Sequence, residues 1–153
     1  MEPELVDIEG RKIAGITCRT NNLLEMTGGD DGRRIGRLWQ QFFEEQVMTQ
    51  IPHHKEAGPY YGVYYDFVSN EHDDYTLLAG IEIDSEATAE AIEPFKLVEV
   101  PAGRYLHFSA QGEMPNAVVE LWMSIWDYFQ AADCPYQRQF GSDFECYPAA
   151  DRV

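Results

Sequence analysis

The sequence predicts an α+β fold made of two strand–helix–strand–strand units, and three observations carry that expectation. Two amphipathic helical stripes lie far apart in the chain. Short runs rich in aromatic and β-branched residues flank each stripe. The stripes also superpose when one is shifted by 83 positions, as a duplicated unit would. A length of 153 residues with 44% apolar content fits a single domain over 1–153 with an ordinary core.

The first stripe places Ile35, Leu38, Trp39, Phe42, Phe43 and Val47 on one face, with Arg37, Gln40, Gln41 and Glu44 opposite. Gly28 to Arg34 reads as a turn-rich approach, and Pro52 ends the helix. The second stripe, from about Pro115 to Ala131, holds Val118, Leu121, Trp122, Ile125, Trp126 and Phe129, while Glu120, Ser124 and Asp127 face water. Pro115 suits a first turn, where its missing N–H costs nothing. The shift lays Ile35 on Val118, Leu38-Trp39 on Leu121-Trp122, and Phe42-Phe43 on Ile125-Trp126.

Lys12 to Arg19 precedes the first helix as a strand, and Tyr60 to Phe67 and Tyr75 to Ile83 follow it. Ser69 to Asp74 is a polar hairpin-type connection. Arg104 to Ala110 precedes the second helix, after the Pro101-Ala102-Gly103 break, and Asp143 to Tyr147 follows. The halves span about 5–84 and about 95–153. Asp84 to Glu93 connects them, and Phe95 to Val100 is an extra strand or a lead-in. A closing strand is owed after Tyr147, but only six residues remain. It is either very short, cut off, or supplied by another chain, and an open sheet edge there favours a homodimer.

Acidic residues number 27 against 11 basic ones, a formal charge of −16. Such a field repels phosphate backbones, so direct nucleic-acid binding and anionic membranes are excluded, and it attracts cations. An acidic surface also simply keeps a protein soluble. MEPELVDIEG has neither the basic nor the apolar region of a signal peptide, and no apolar run spans a membrane. Three cysteines, Cys18, Cys134 and Cys146, without CxxC spacing, read as reduced thiols in a cytoplasmic protein.

His53-His54 and the loop Glu71-His72-Asp73-Asp74 lack the spacing of a metal site, and no nucleotide or hydrolase fingerprint is present, so neither metal nor cofactor is expected. No cysteine has a histidine neighbour in sequence to make it a nucleophile. The composition includes 8 Phe, 9 Tyr and 3 Trp, enough to fill a core and also to line a pocket. Glu145 shares a strand face with Tyr147 by period two. A carboxylate beside aromatic rings suits an organic cation, although a strand glutamate taken alone more often faces water. Glu82 is a similar, less supported case. Trp39, Trp122 and Trp126 read first as core residues of their stripes. Tyr60 and Tyr64 fall on one strand face and Tyr61 and Tyr65 on the other, so one pair borders a cavity or the surface.

Six short segments, taken together and in order, resemble the gyrase-inhibitor-like effector-binding domains of AraC-type and multidrug-responsive regulators. They are Ile35-Gly36-Arg37-Leu38-Trp39, Tyr61-Gly62-Val63-Tyr64, Asp74-Tyr75-Thr76-Leu77-Leu78-Ala79-Gly80, Val100-Pro101-Ala102-Gly103-Arg104-Tyr105, Glu120-Leu121-Trp122 and Asp143-Phe144-Glu145-Cys146-Tyr147. The chain is similar to the stand-alone members found in integron gene cassettes, having no attached helix-turn-helix. The resemblance implies two pseudo-twofold halves and a buried glutamate that holds lipophilic cations amid aromatic rings. By resemblance that role falls on Glu145, with walls drawn from Trp39, Tyr64, Tyr105, Trp126 and Tyr147. The expected partner is a small organic cation, sequestered or reported to a separate regulator protein. Two alternatives stay open: a small-molecule hydrolase using a pocket Glu/Tyr pair, and a protein-interaction module like the gyrase inhibitors.

Overall fold

The computed structural model describes residues 3–54, 58–69 and 73–153, with the side chains of all of these except Asp30 and Asp31. Of the acidic loop, Glu71 and His72 therefore lie outside the described residues.

Seven strands and five helices follow in the order β1 (Glu4–Ile8), β2 (Arg11–Thr20), α1 (Asn22–Thr27), α2 (Gly29–Gly32), α3 (Ile35–Glu44), α4 (Val47–Gln50), β3 (Tyr60–Tyr65), β4 (Tyr75–Ile83), β5 (Lys96–Val100), β6 (Gly103–His107), α5 (Asn116–Gln130) and β7 (Ser142–Tyr147) among the described residues. A 3-10 turn, Glu90–Ile92, lies between β4 and β5. Five strands form one sheet in the order β5-β2-β4-β3-β7, and β1 pairs with β6 in a second. Every ladder is antiparallel.

The expected α+β architecture is the one observed, and the two halves meet along β3 and β7, where Gly62 faces Glu145 in register. The lead-in strands are exchanged. β1, from the start of the chain, pairs with β6 of the second half, and β5 pairs with β2 of the first. Asp151 to Val153 runs back along Ala110 to Gly112, with Ala110 and Val153 exchanging N–H···O bonds of 2.9 and 3.0 Å.

Alternation along β3 and β4 produces two cores. On the helix side, Leu38, Phe42 and Val47 of α3 and α4 pack on Leu77, Ala79, Ile81 and Ile83. On the opposite face Ile13, Tyr61, Val63, Leu78, Val98 and Val100 form the second cluster. Fully burying a side chain the size of Phe42 contributes about 2–3 kcal/mol, so these clusters fix the sheet against α3.

The helix expected to run to Pro52 is interrupted. α3 stops at Glu44, Gln46 turns left-handed (φ 49°), and α4 restarts at Val47, which keeps Val47 in the core. The turn-rich approach is itself helical. Asn21 caps α1 by accepting the Leu24 N–H at 2.9 Å. Glu25 then accepts the Arg34 and Ile35 N–H groups at 2.9 and 3.1 Å, supplying α3 with the acidic cap that its own first turn lacks. The strand β1 went unanticipated because its residues are mostly exposed and its apolar pattern is weak. No helix among the described residues is long and apolar enough to cross a membrane.

At the crossing of β2 and β4, Gly15 faces Gly80. A Cβ at Gly15 would lie 1.9 Å from the Ala79 carbonyl oxygen, and one at Gly80 2.1 Å from that of Ala14. The obstacle is backbone, which cannot rotate aside. Gly15→Ala is therefore expected to cost about 3 kcal/mol or more, read from denaturant midpoints; a loss below about 1 kcal/mol would show that the strands can separate there.

Candidate ligand site

Period two puts Asp143, Glu145 and Tyr147 of β7 on the helix-facing side, next to Tyr60, Gly62 and Tyr64 of β3. Directly across from Glu145 stands Gly62, whose hypothetical Cβ would lie 2.7 Å from Oε1 of Glu145 and 3.3 Å from the Trp39 ring. Any side chain at position 62 would occupy the space the carboxylate uses. The absence of a side chain on β3 is thus what admits the carboxylate of β7.

Glu145 is 7% exposed, and three neutral donors close around it. Tyr64 Oη and Trp122 Nε1 donate to Oε2 at 2.9 and 2.6 Å, and Tyr147 Oη donates to Oε1 at 2.7 Å. The donors come from β3, α5 and β7, so one carboxylate joins both halves. No basic group pairs with it among the described residues. Burial pushes its pKa up from the ordinary value, and the bonds from Trp122, Tyr147 and Tyr64 pull partly back. The same burial, with the Glu145 charge adding to it, raises the pKa of both Tyr64 and Tyr147. Both phenols stay protonated as donors, which leaves neither free to act as a base.

Aromatic rings extend outward from this centre. Trp39 meets Tyr147 edge-on at 5.5 Å, and Tyr64 meets Trp122 at 5.4 Å and Tyr75 at 5.5 Å. Trp126 lies one layer out, its ring 6.4 Å from that of Trp122. Of the six residues anticipated, the fold brings Glu145, Tyr64 and Tyr147 into direct contact and sets Trp39 at the wall. Tyr105 is not brought there. Its ring packs on Phe144, on the other face of the sheet, and its hydroxyl donates to the Pro101 carbonyl at 2.7 Å. Period two explains the correction, because Phe144 points away from the face that Glu145 occupies.

Three residues at or beside this centre were not anticipated as site residues: Trp122, Gly62, and Arg138, whose guanidinium lies 5.7 Å from the Trp122 ring. A signal for two of them existed. The shift of 83 positions that superposes the helices also lays Trp39 on Trp122, Gly62 on Glu145 and Tyr64 on Tyr147. The site is therefore a pseudo-symmetric aromatic shell whose symmetry is broken at its centre, glycine on one side and glutamate on the other. Arg138 had no such signal, since it sits between α5 and β7 in irregular chain.

The remaining candidates lie apart. His54 Nδ1 is 2.8 Å from the Ile51 carbonyl, and no cluster of three metal-ligating side chains occurs among the described residues. Burial pushes the Cys18 thiol up to about 11 and raises that of Cys146 as well, which keeps both unreactive near neutral pH. Two surface grooves are lined without Glu145. One, of about 290 Å3, lies beside Gln111 and Asn116, and the other, of about 710 Å3, beside His53 and Asp84.

Residues 4–152 match the family described as integron-associated effector binding protein. The protein YobU of Bacillus subtilis (strain 168), whose name assigns it provisionally to transcriptional regulation, is 26% identical over 144 residues, covering 94% of this chain and 84% of YobU. Among solved structures, an integron cassette protein from the mobile metagenome of Vibrio cholerae is 27% identical with a TM-score of 0.79, covering 98% of this chain and 90% of the other. The protein SAV2435, solved bound to tetraphenylphosphonium, is 18% identical with a TM-score of 0.74, covering 99% and 86%.

A buried carboxylate with a raised pKa costs stability when ionised, and the cost disappears as falling pH protonates it. Glu145→Gln removes the charge while keeping the shape. The variant is expected to be more stable than the parent at pH 8, by on the order of 1 kcal/mol. That advantage should vanish on acidification, when both side chains are neutral. Thermal or urea unfolding across pH 4–8 checks this, and an advantage that grows with acid would have the wrong sign.

Proposed function

The chain belongs to the integron-associated effector binding protein family, and from that premise we propose that it binds amphipathic organic cations at Glu145. One observation carries the reading: a carboxylate, 7% exposed, held by three neutral donors with no basic partner among the described residues, inside a shell of aromatic rings. Neutral hydrogen bonds offset only part of its desolvation, so a cation arriving from outside meets an unsatisfied charge. The π-faces hold the apolar body of the ligand, which restricts the class to cations carrying aromatic or aliphatic arms.

The binding of tetraphenylphosphonium by SAV2435, a protein of the same fold, supports that ligand class. Because the donors close over the carboxylate, a ligand reaches it only by displacing at least one of Tyr64, Trp122 or Tyr147. The effect is sensing or sequestration in the cytoplasm, with Tyr64 and Tyr147 serving as hydrogen-bond donors to the carboxylate. A signal passes to a separate regulator or ends with capture of the ligand.

Titration with tetraphenylphosphonium, followed by calorimetry or tryptophan emission, tests the reading. Glu145→Gln is expected to weaken the cation at least about tenfold, or ~1.4 kcal/mol, while leaving the neutral triphenylphosphine oxide unchanged. Equal loss for both compounds would show that shape rather than charge is recognised. Cation affinity should also fall as pH is lowered, and the fall should begin above the usual carboxylate range because the Glu145 pKa is raised.

A further inference from the structure

The chain carries a cation of its own beside this site. Arg138 lies in the irregular segment between α5 and β7, and its side chain is 10% exposed. Its guanidinium sits 5.7 Å from the Trp122 ring and 4.4 Å from the Phe140 ring, and its Nη2 donates to Asp143 at 2.7 Å. Asp143 stands two residues from Glu145 on the same face of β7. Trp122 thus serves two partners, donating its N–H to Glu145 while presenting its ring to Arg138.

Two carboxylates on one strand face therefore have different fates. Asp143 is neutralised by a guanidinium held against aromatic rings, and Glu145 receives only neutral donors. The Asp143–Arg138–Trp122 arrangement combines carboxylate, aromatic face and cation, the same three parts proposed for ligand recognition at Glu145. It is also imperfectly satisfied. Arg138 Nη1 is buried and has no hydrogen-bond partner. Phe140, whose ring covers the guanidinium, takes a left-handed backbone conformation (φ 54°) that is uncommon for a bulky side chain. A buried N–H without an acceptor and a left-handed aromatic residue each cost free energy, so the arginine is held less firmly than its burial suggests.

We propose that Arg138 is a tethered competitor: it occupies the Trp122 face that an incoming organic cation needs, and ligand binding displaces it from that ring. The proposal rests on the cation-binding reading of Glu145 and adds a regulator of its affinity. The ring of Trp122 is reinforced by one cation at a time, because a second would meet the repulsion of the first. Displacement also frees Nη1 to reach water, recovering the hydrogen bond it lacks in place.

Two substitutions test this in the intact protein, with tetraphenylphosphonium as the probe. Arg138→Gln removes the competitor, and Asp143→Asn removes its anchor while leaving the arginine. Both are expected to tighten binding, Arg138→Gln by several-fold to about tenfold, the range expected of a cation–π contact, and Asp143→Asn by less. They change net charge in opposite directions, so a bulk electrostatic effect would tighten binding in one and weaken it in the other. Thermal unfolding of each variant establishes that it folds. Tightening by Asp143→Asn, against its own change in net charge, decides for the competitor, and where only Arg138→Gln folds its gain must persist at high salt, where bulk attraction is screened. Should the parent protein bind and the variants bind equally or more weakly, Arg138 is no competitor, while the reading of Glu145 stands. If neither parent nor variants bind the cation, both fall together. Binding that appears only in the variants would support both.

Discussion

The carboxylate of Glu145 is the group around which both halves of the molecule are arranged. Its three donors come from three elements, Tyr64 on β3, Trp122 on α5 and Tyr147 on its own strand β7. Moving α5 away from the sheet would break the bond from Trp122, and sliding β7 along β3 would lift the carboxylate out of the recess over Gly62. The site thus depends on the register of β3 with β7 more than on any loop. In return the fold carries a buried carboxylate that no basic group among the described residues pairs with. That cost is tolerable only because two apolar clusters, packed on opposite faces of the sheet, hold it together independently.

The pseudo-twofold relation explains why there is one such charge and not two. A strictly duplicated unit with glutamate in both halves would bring two carboxylates face to face at the β3–β7 register, where one would have to stay protonated. Two glycines would leave the shell without a charge. The pair found here, Gly62 against Glu145, resolves both difficulties, since the glycine gives the carboxylate room and the aromatic partners from both copies surround it. Trp39 and Trp122, equivalent by the repeat, then diverge. Trp39 stays a wall residue against Tyr147, and Trp122 becomes a hydrogen-bond donor and the platform for Arg138.

What the sequence reveals follows from which interactions are periodic. The long helix α5 and the strands β4 and β7 declare themselves through 3.6- and 2-residue patterns, and Glu145 with Tyr147 follows from the same period. Features set by partners distant in the chain leave no such trace. The helix cap supplied by Glu25, the left-handed break at Gln46 and the exchange of β1 with β5 are of this kind. Tyr105 was misplaced because a family-level pocket wall does not specify a sheet face, and its packing on Phe144 does. Trp122 was legible in principle: the internal repeat pairs it with Trp39, and the amphipathic stripe alone assigns it to the core.

The acidic composition and the site act over different ranges. A net charge of −16 attracts cations toward the protein, but in physiological salt that field decays within about 8 Å, so it acts on encounter and scarcely on retention. Within contact distance the balance is local: no basic group among the described residues pairs with Glu145, and Asp143 is matched by Arg138. Had Asp143 lacked its arginine, two anionic carboxylates would share one strand face, and their repulsion would raise the pKa of Glu145 further. Arg138 quenches that second charge without pairing to Glu145. The one guanidinium thus satisfies Asp143 and lies against the Trp122 ring, while the Glu145 carboxylate is left to neutral donors.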